Sequence, residues 1–115
     1  MLKKKSDQET EARKDMRGGK GQVFVRHYFK ADEIHARTRL CAELRIPPGA
    51  SVGEHAHTDE DEIFIIQKGR GRMMDNQKEI IVEEGDAVLT GQGGTHTIEN
   101  IGEEDLVVTA VIMKY

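Results

Sequence analysis

The chain has a single cysteine, Cys41, so no internal disulfide can form and nothing marks an oxidised, secreted protein. No apolar run approaches the roughly 18–20 residues that span a bilayer. No apolar leader follows Lys3, Lys4 and Lys5 either. A cytoplasmic address without membrane contact is therefore expected. Basic charge is not in excess: 17 Lys and Arg face 21 Asp and Glu, and a net charge of −4 offers no general attraction to nucleic acid. Helical periodicity is missing after residue 21. At 115 residues the chain has room for one domain and not for two. A domain this short buries a modest share of its surface, which favours association with a second copy.

What is present divides into two parts. Residues 1–21 are polar, with Lys3–Lys5 answered by Asp7, Glu9 and Glu11, and with Gly18, Gly19 and Gly21 at the end. Ser6 and Glu9 have the spacing of a helix capping box. No apolar face exists to dock such a helix, so a mobile polar arm outside the domain is expected. From Gln22 onward the pattern is short and strand-like: Val23–Lys30, Arg39–Ile46, Glu62–Gln67, Gly71–Met74, Glu79–Val82, Ala87–Thr90, Thr95–Asn100 and Leu106–Met113. Pro47-Pro48-Gly49, Lys68-Gly69, Asp75-Asn76, Glu84-Gly85-Asp86 and Gly91–Gly94 punctuate it. Many short strands separated by turns predict an all-β sandwich or barrel over residues 22–115. Cys41, within an apolar run, is expected as a buried small hydrophobe.

Three of the five histidines fall into a pattern. His55 and His57 are two apart, so on an extended strand both rings project from one face. Glu62 lies an odd step beyond. The turn-prone Thr58-Asp59-Glu60-Asp61 lets the chain reverse and return Glu62 beside them, with the acidic tip itself a solvated turn. His96 arrives from a distant strand. Imidazole and carboxylate together suit Fe, Mn, Co, Ni, Cu or Zn. His27 and His35 have no such company.

The spacing extends to the glycines. Gly49 is followed by five residues, His55-Ala56-His57, four residues, Glu62, six residues and Gly69. Gly85 is followed by five residues, Gly91-Gln92-Gly93, two residues, His96, three residues and Asn100. These runs resemble the two motifs of the cupin superfamily, in the compact form of small single-domain bacterial cupins similar to oxalate decarboxylase-like monocupins. One position departs: Gly91 stands where the family usually has proline, which leaves that turn less stiff at the pocket mouth. The resemblance implies a double-stranded β-helix, the cupin jelly-roll barrel. It also implies one divalent transition metal (Mn, Fe, Ni, Co, Zn or Cu) on His55, His57, Glu62 and His96, and a homodimer paired through a sheet.

Three neutral imidazoles and one carboxylate leave a 2+ ion with residual positive charge, which favours a small anionic or oxygenated ligand. By strand parity Phe64 and Ile66 point inward with Glu62, and Met73 or Met74 and one face of Leu106–Met113 complete the wall. Asn100 is expected to tie down backbone. Glu43 and Arg45, opposite in parity to Leu40, Ala42 and Leu44, are expected at the surface, while Arg17 and Arg26 are open. The functional expectation is a metal-dependent enzyme of the decarboxylase or dioxygenase type. The alternatives are a non-enzymatic module that binds or senses a sugar or organic acid, and a sugar-phosphate isomerase. The last would need a roomy, cation-lined phosphate subsite, and no clear arginine or lysine cluster is expected near the four residues.

Overall fold

The computed structural model describes residues 1–115, most of them in ten strands. They are β1 (Thr10–Lys14), β2 (Gln22–His27), β3 (Thr38–Ile46), β4 (Ser51–Ala56), β5 (Glu60–Lys68), β6 (Arg70–Asp75), β7 (Lys78–Glu83), β8 (Ala87–Gly91), β9 (Thr95–Asn100) and β10 (Leu106–Lys114). The only helical pieces are 3-10 turns at Lys5–Asp7, Met16–Gly18 and Ala31–Glu33. A six-stranded sheet in the order β1-β2-β3-β10-β5-β8 faces a four-stranded sheet in the order β4-β9-β6-β7. All paired strands are antiparallel, which makes an all-β jelly-roll barrel.

Period-two alternation sets what lies between the sheets. Ala42, Leu44 and Ile46 of β3, Phe64 and Ile66 of β5, and Leu106, Val108, Ala110 and Ile112 of β10 are buried from one side. Val52, Met73, Val82 and Ile98 meet them from the other. The opposite parity of β3 faces outward, as expected. Glu43 pairs with Arg26 at 2.5 Å, and Arg45 pairs with Asp105 at 3.2 Å. The Arg45 guanidinium also lies 4.3 Å from the Phe24 ring centre.

The polar N-terminal segment is not a free arm. Thr10–Lys14 pairs with β2 in the register Thr10↔Arg26 to Lys14↔Gln22, and so forms the edge strand of the larger sheet. Polar ties hold the residues before it: Lys3 to Glu33 at 2.6 Å, Lys30 to Glu9 at 2.7 Å, and the Gln8 side chain to Arg26. Edge pairing needs only backbone donors and acceptors. Four of the five β1 residues are exposed, so no apolar pattern announced the strand.

The outer face of the six-stranded sheet carries an apolar row. Cross-strand register lines up Cys41, Val111, Ile63 and Leu89. Ile65 and Met113 flank the row, and Leu89 is 64% exposed. Cys41 is therefore half-buried on this outer face and not in the core, and desolvation raises its thiol pKa.

Candidate metal centre

Each of the four singled-out side chains reaches the barrel interior by a different local device. On β4, Val52 pairs with Ile98 and His55 with His96, so two residues, Gly53 and Glu54, oppose the single Thr97. This β-bulge reverses the parity of β4 and turns both Val52 and His55 inward, which an unbroken strand could not do. His57 lies just past the strand end, tied by its N–H to Gly94 O at 3.0 Å and by its carbonyl to Gly93 N at 2.8 Å. Asp59, with φ 58°, makes the turn that lets β5 begin at Glu60 and places Glu62 on the inner face. His96 is buried on β9 and stacks on Phe64, with ring centres 4.9 Å apart.

The four residues converge, with their ligand atoms all within 4.8 Å of one another. His96 Nε2 lies 3.0 Å from His57 Nε2, 3.1 Å from His55 Nε2 and 3.0 Å from Glu62 Oε1. His57 Nε2 lies 2.9 Å from Glu62 Oε1. Donors bonded to one cation at about 2.1 Å and at right angles stand about 3.0 Å apart, whereas a tetrahedral arrangement spreads them to about 3.4 Å. The separations match the right-angled case.

The distal nitrogens decide which way the lone pairs point. His55 Nδ1 lies 2.8 Å from Gly53 O, which can only accept, so Nδ1 carries the proton. His57 Nδ1 lies 2.6 Å from Glu60 Oε2 and is a donor for the same reason. Both Nε2 atoms therefore direct lone pairs inward, where Glu62 Oε1 is buried without a hydrogen-bond donor. Acceptors crowded together with nothing to accept from make a hole shaped for a cation. Burial opposes ionisation of Glu62, yet its contacts to His57 and His96 outweigh this and lower its pKa. His57 is also opposed by burial and is raised by Glu62 and Glu60, while burial lowers His55.

Glu60 is a residue the sequence reading placed in a solvated turn, and the structure corrects this. It is 8% exposed and accepts two bonds from Arg39, Nε at 2.9 Å and Nη2 at 2.8 Å, besides the one from His57. The Arg39 guanidinium holds its carboxyl down to about 2. The signal was available in parity, since Glu60, Glu62, Phe64 and Ile66 are all even steps along one inner face. Asp61, one step out of phase, points outward and accepts a bond from Tyr115 Oη.

A cavity of about 120 Å³ opens onto His55, His57 and Glu62. Apolar Leu40, Leu44, Val52, Phe64 and Ile112 line part of it, and Arg13, Arg17, Arg39 and His27 complete the wall. An arginine cluster therefore does adjoin the four residues, contrary to the sequence reading. Arg13 and Arg17 come from the N-terminal hairpin, whose docking no local pattern revealed. Arg26 lies outside the cavity and His35 is exposed. Asn100 donates to Ile46 O and Glu104 O and accepts from Gly102 N, a tie between loops. Gly91 ends β8 and does not itself line the cavity. A Cβ there would sit 1.9 Å from Asp61 Oδ1, and Tyr115 latches the turn by bonding both Asp61 and Gln92 N.

Fold, spacing and cluster agree with one protein family. The Cupin domain family matches residues 42–112, and the chain belongs to it. Among its relatives is the oxalate-binding protein of Thermotoga maritima, 41% identical over 98% of this chain and 93% of its own. A crystal structure from Thermotoga maritima, described as a predicted oxalate decarboxylase, is 40% identical over the whole of both chains with a TM-score of 0.95. The Schizosaccharomyces pombe Cnp3 cupin domain shares the fold at 14% identity, with a TM-score of 0.74 over 91% of this chain and 69% of its own.

Proposed function

We propose that the protein holds one divalent transition-metal ion on His55, His57, Glu62 and His96 and uses it to bind a small carboxylate such as oxalate. The observation that carries this reading is the buried Glu62 Oε1 without a donor, 2.9–3.0 Å from two imidazole nitrogens, at the floor of a cavity walled by arginines. When bound, the ion supplies positive charge and a Lewis-acidic site for a carboxylate oxygen. The chain's own residues do the rest. Gly53 O and Glu60 fix the ring orientations of His55 and His57 through their Nδ1 protons. Leu40, Leu44 and Ile112 exclude water, and the arginines favour an anion.

Size narrows the ligand class. Pockets for drug-sized ligands run to about 300–1,000 Å³, and about 120 Å³ holds only a handful of heavy atoms. This favours a small acid over a sugar phosphate, even with arginines present. A relative named for oxalate binding supports the same class. Turnover as a decarboxylase or dioxygenase is the finer reading. Against it stands the lining itself, where the only carboxylate is Glu62, so no free side-chain acid faces the ligand.

The test is metal analysis of protein purified without added metal, followed by calorimetric titration of oxalate into manganese-loaded and chelated samples. Binding is expected only in the loaded sample. Carbon dioxide release or oxygen uptake would establish the enzymatic reading, and oxalate binding that ignores chelation would overturn the metal site.

We further infer that a second copy of this chain covers the Cys41–Val111–Ile63–Leu89 row. The row bears no charge and runs onto the free edge strand β8 at Leu89, so a two-fold pairing can bury it against itself. Ile63→Lys is expected to convert a dimer to a monomer in light scattering at unchanged circular dichroism. An unchanged mass would place the interface elsewhere.

A further inference from the structure

Three arginines line the cavity, but only two have carboxylate partners. Arg13 pairs with Glu11 and Arg39 with Glu60. Arg17 makes no ion pair and no side-chain hydrogen bond, yet it lines the same cavity as His55, His57 and Glu62. An arginine without a partner on the wall of such a cavity has its full donor set free for an anion.

The backbone under Arg17 is held in a demanding position. Its φ of 55° and ψ of 30° lie in the left-handed region, which a residue with a Cβ occupies at a cost. Asp15, two residues before, has φ 50° and ψ 43°. Such strain persists only where surrounding contacts over-determine it, and here those contacts are visible. Ser51 N donates to Lys20 O at 2.9 Å, and Lys20 N donates to Ser51 Oγ at 2.9 Å. The loop and β4 meet backbone to backbone through two glycines. A Cβ on Gly53 would lie 2.1 Å from Arg17 O, and one on Gly19 would lie 2.2 Å from Ser51 O. Gly53 also supplies the carbonyl that orients His55. One contact therefore registers Arg17 against the strand that carries a member of the cluster.

From this we infer that Arg17 is a specificity-determining residue: it clamps the carboxylate that the cluster does not hold, so that the site selects small dicarboxylates over monocarboxylates. The inference rests on the carboxylate-binding reading above. It explains why a strained, exposed arginine stands at this point of the N-terminal hairpin, where asparagine or glycine would fit the backbone with less strain.

The experiment compares wild-type protein with Arg17→Asn and Arg17→Lys, each loaded with manganese and titrated with oxalate and with acetate. Asparagine tolerates the left-handed region, so Arg17→Asn should fold, with a melting temperature equal to or above that of the wild type. Its manganese affinity should stay within about twofold. Oxalate affinity should fall about 10- to 100-fold, the loss of one charge-assisted bidentate contact, while acetate affinity moves less than about threefold. Arg17→Lys should recover part of the loss. Equal losses for both acids, or none, would overturn the role of Arg17 and leave the carboxylate site standing. Failure of loaded wild-type protein to bind either acid would overturn both.

Discussion

Glu62→Gln is expected to raise the melting temperature of the metal-free protein while abolishing the rise that wild-type protein shows on adding manganese. With His55 and His57 neutral, Glu62 Oε1 of the metal-free protein is buried beside their inward lone pairs and takes no hydrogen bond. An unsatisfied buried polar group costs about 1–3 kcal/mol. The glutamine amide places an N–H group where His57 Nε2 stands 2.9 Å away, and turns a conflict into a hydrogen bond. For a domain of this size the gain should appear as about 3–10 °C, measured near pH 8.5, where imidazole is ordinarily neutral. The same change removes the only anionic donor. Wild-type protein with the ion at one hundred times its dissociation constant should gain about 2.7 kcal/mol, and the variant almost none. Opposite signs in the two conditions separate a cation site from an ordinary buried ion pair, whose loss would lower both melting temperatures.

Glu60→Ala is the second large effect, although Glu60 is not one of the four converging residues. Its carboxylate accepts the His57 Nδ1 proton at 2.6 Å and is itself held by two Arg39 bonds. Removing it frees the ring to rotate and weakens its basicity, and losses of this kind typically cost 10- to 100-fold in metal affinity. Glu60→Gln retains an oxygen acceptor and should recover most of the loss. Competition of manganese binding against a chelator measures both variants. Equal, unimpaired affinity in the two would mean that His57 is oriented by its backbone bonds to Gly93 and Gly94 alone.

The arrangement also explains how a small barrel combines a rigid core with a selective mouth. The lower interior is hydrocarbon from both sheets, and Phe64 joins it to the cluster by stacking on His96. Above the cluster the wall changes character within one strand. On β3, Ala42, Leu44 and Ile46 are buried, while Arg39 reaches Glu60 at the rim. The rim then borrows Arg13 and Arg17 from the N-terminal hairpin, which sends Met16, Val23 and Val25 toward the core and these arginines toward the cavity.

By itself the sequence determined the all-β architecture, because alternation in Arg39–Ile46 and Leu106–Met113 and the regular glycine turns state strand and punctuation directly. It also pointed to the four side chains that converge, because the spacing of His55, His57, Glu62 and His96 against Gly49, Gly69, Gly85 and Asn100 resembles the two cupin motifs. Only the tertiary structure decided how His55 faces inward beside Val52, because a one-residue bulge in β4 cancels the parity that spacing would assign. It likewise decided the partnership of Glu60 with Arg39 and the arrival of Arg17, both made by residues far apart in the chain. Burial periodicity records which side chains leave water. It carries no record of an edge strand such as Thr10–Lys14, whose attachment lies in backbone hydrogen bonds that any polar sequence can make.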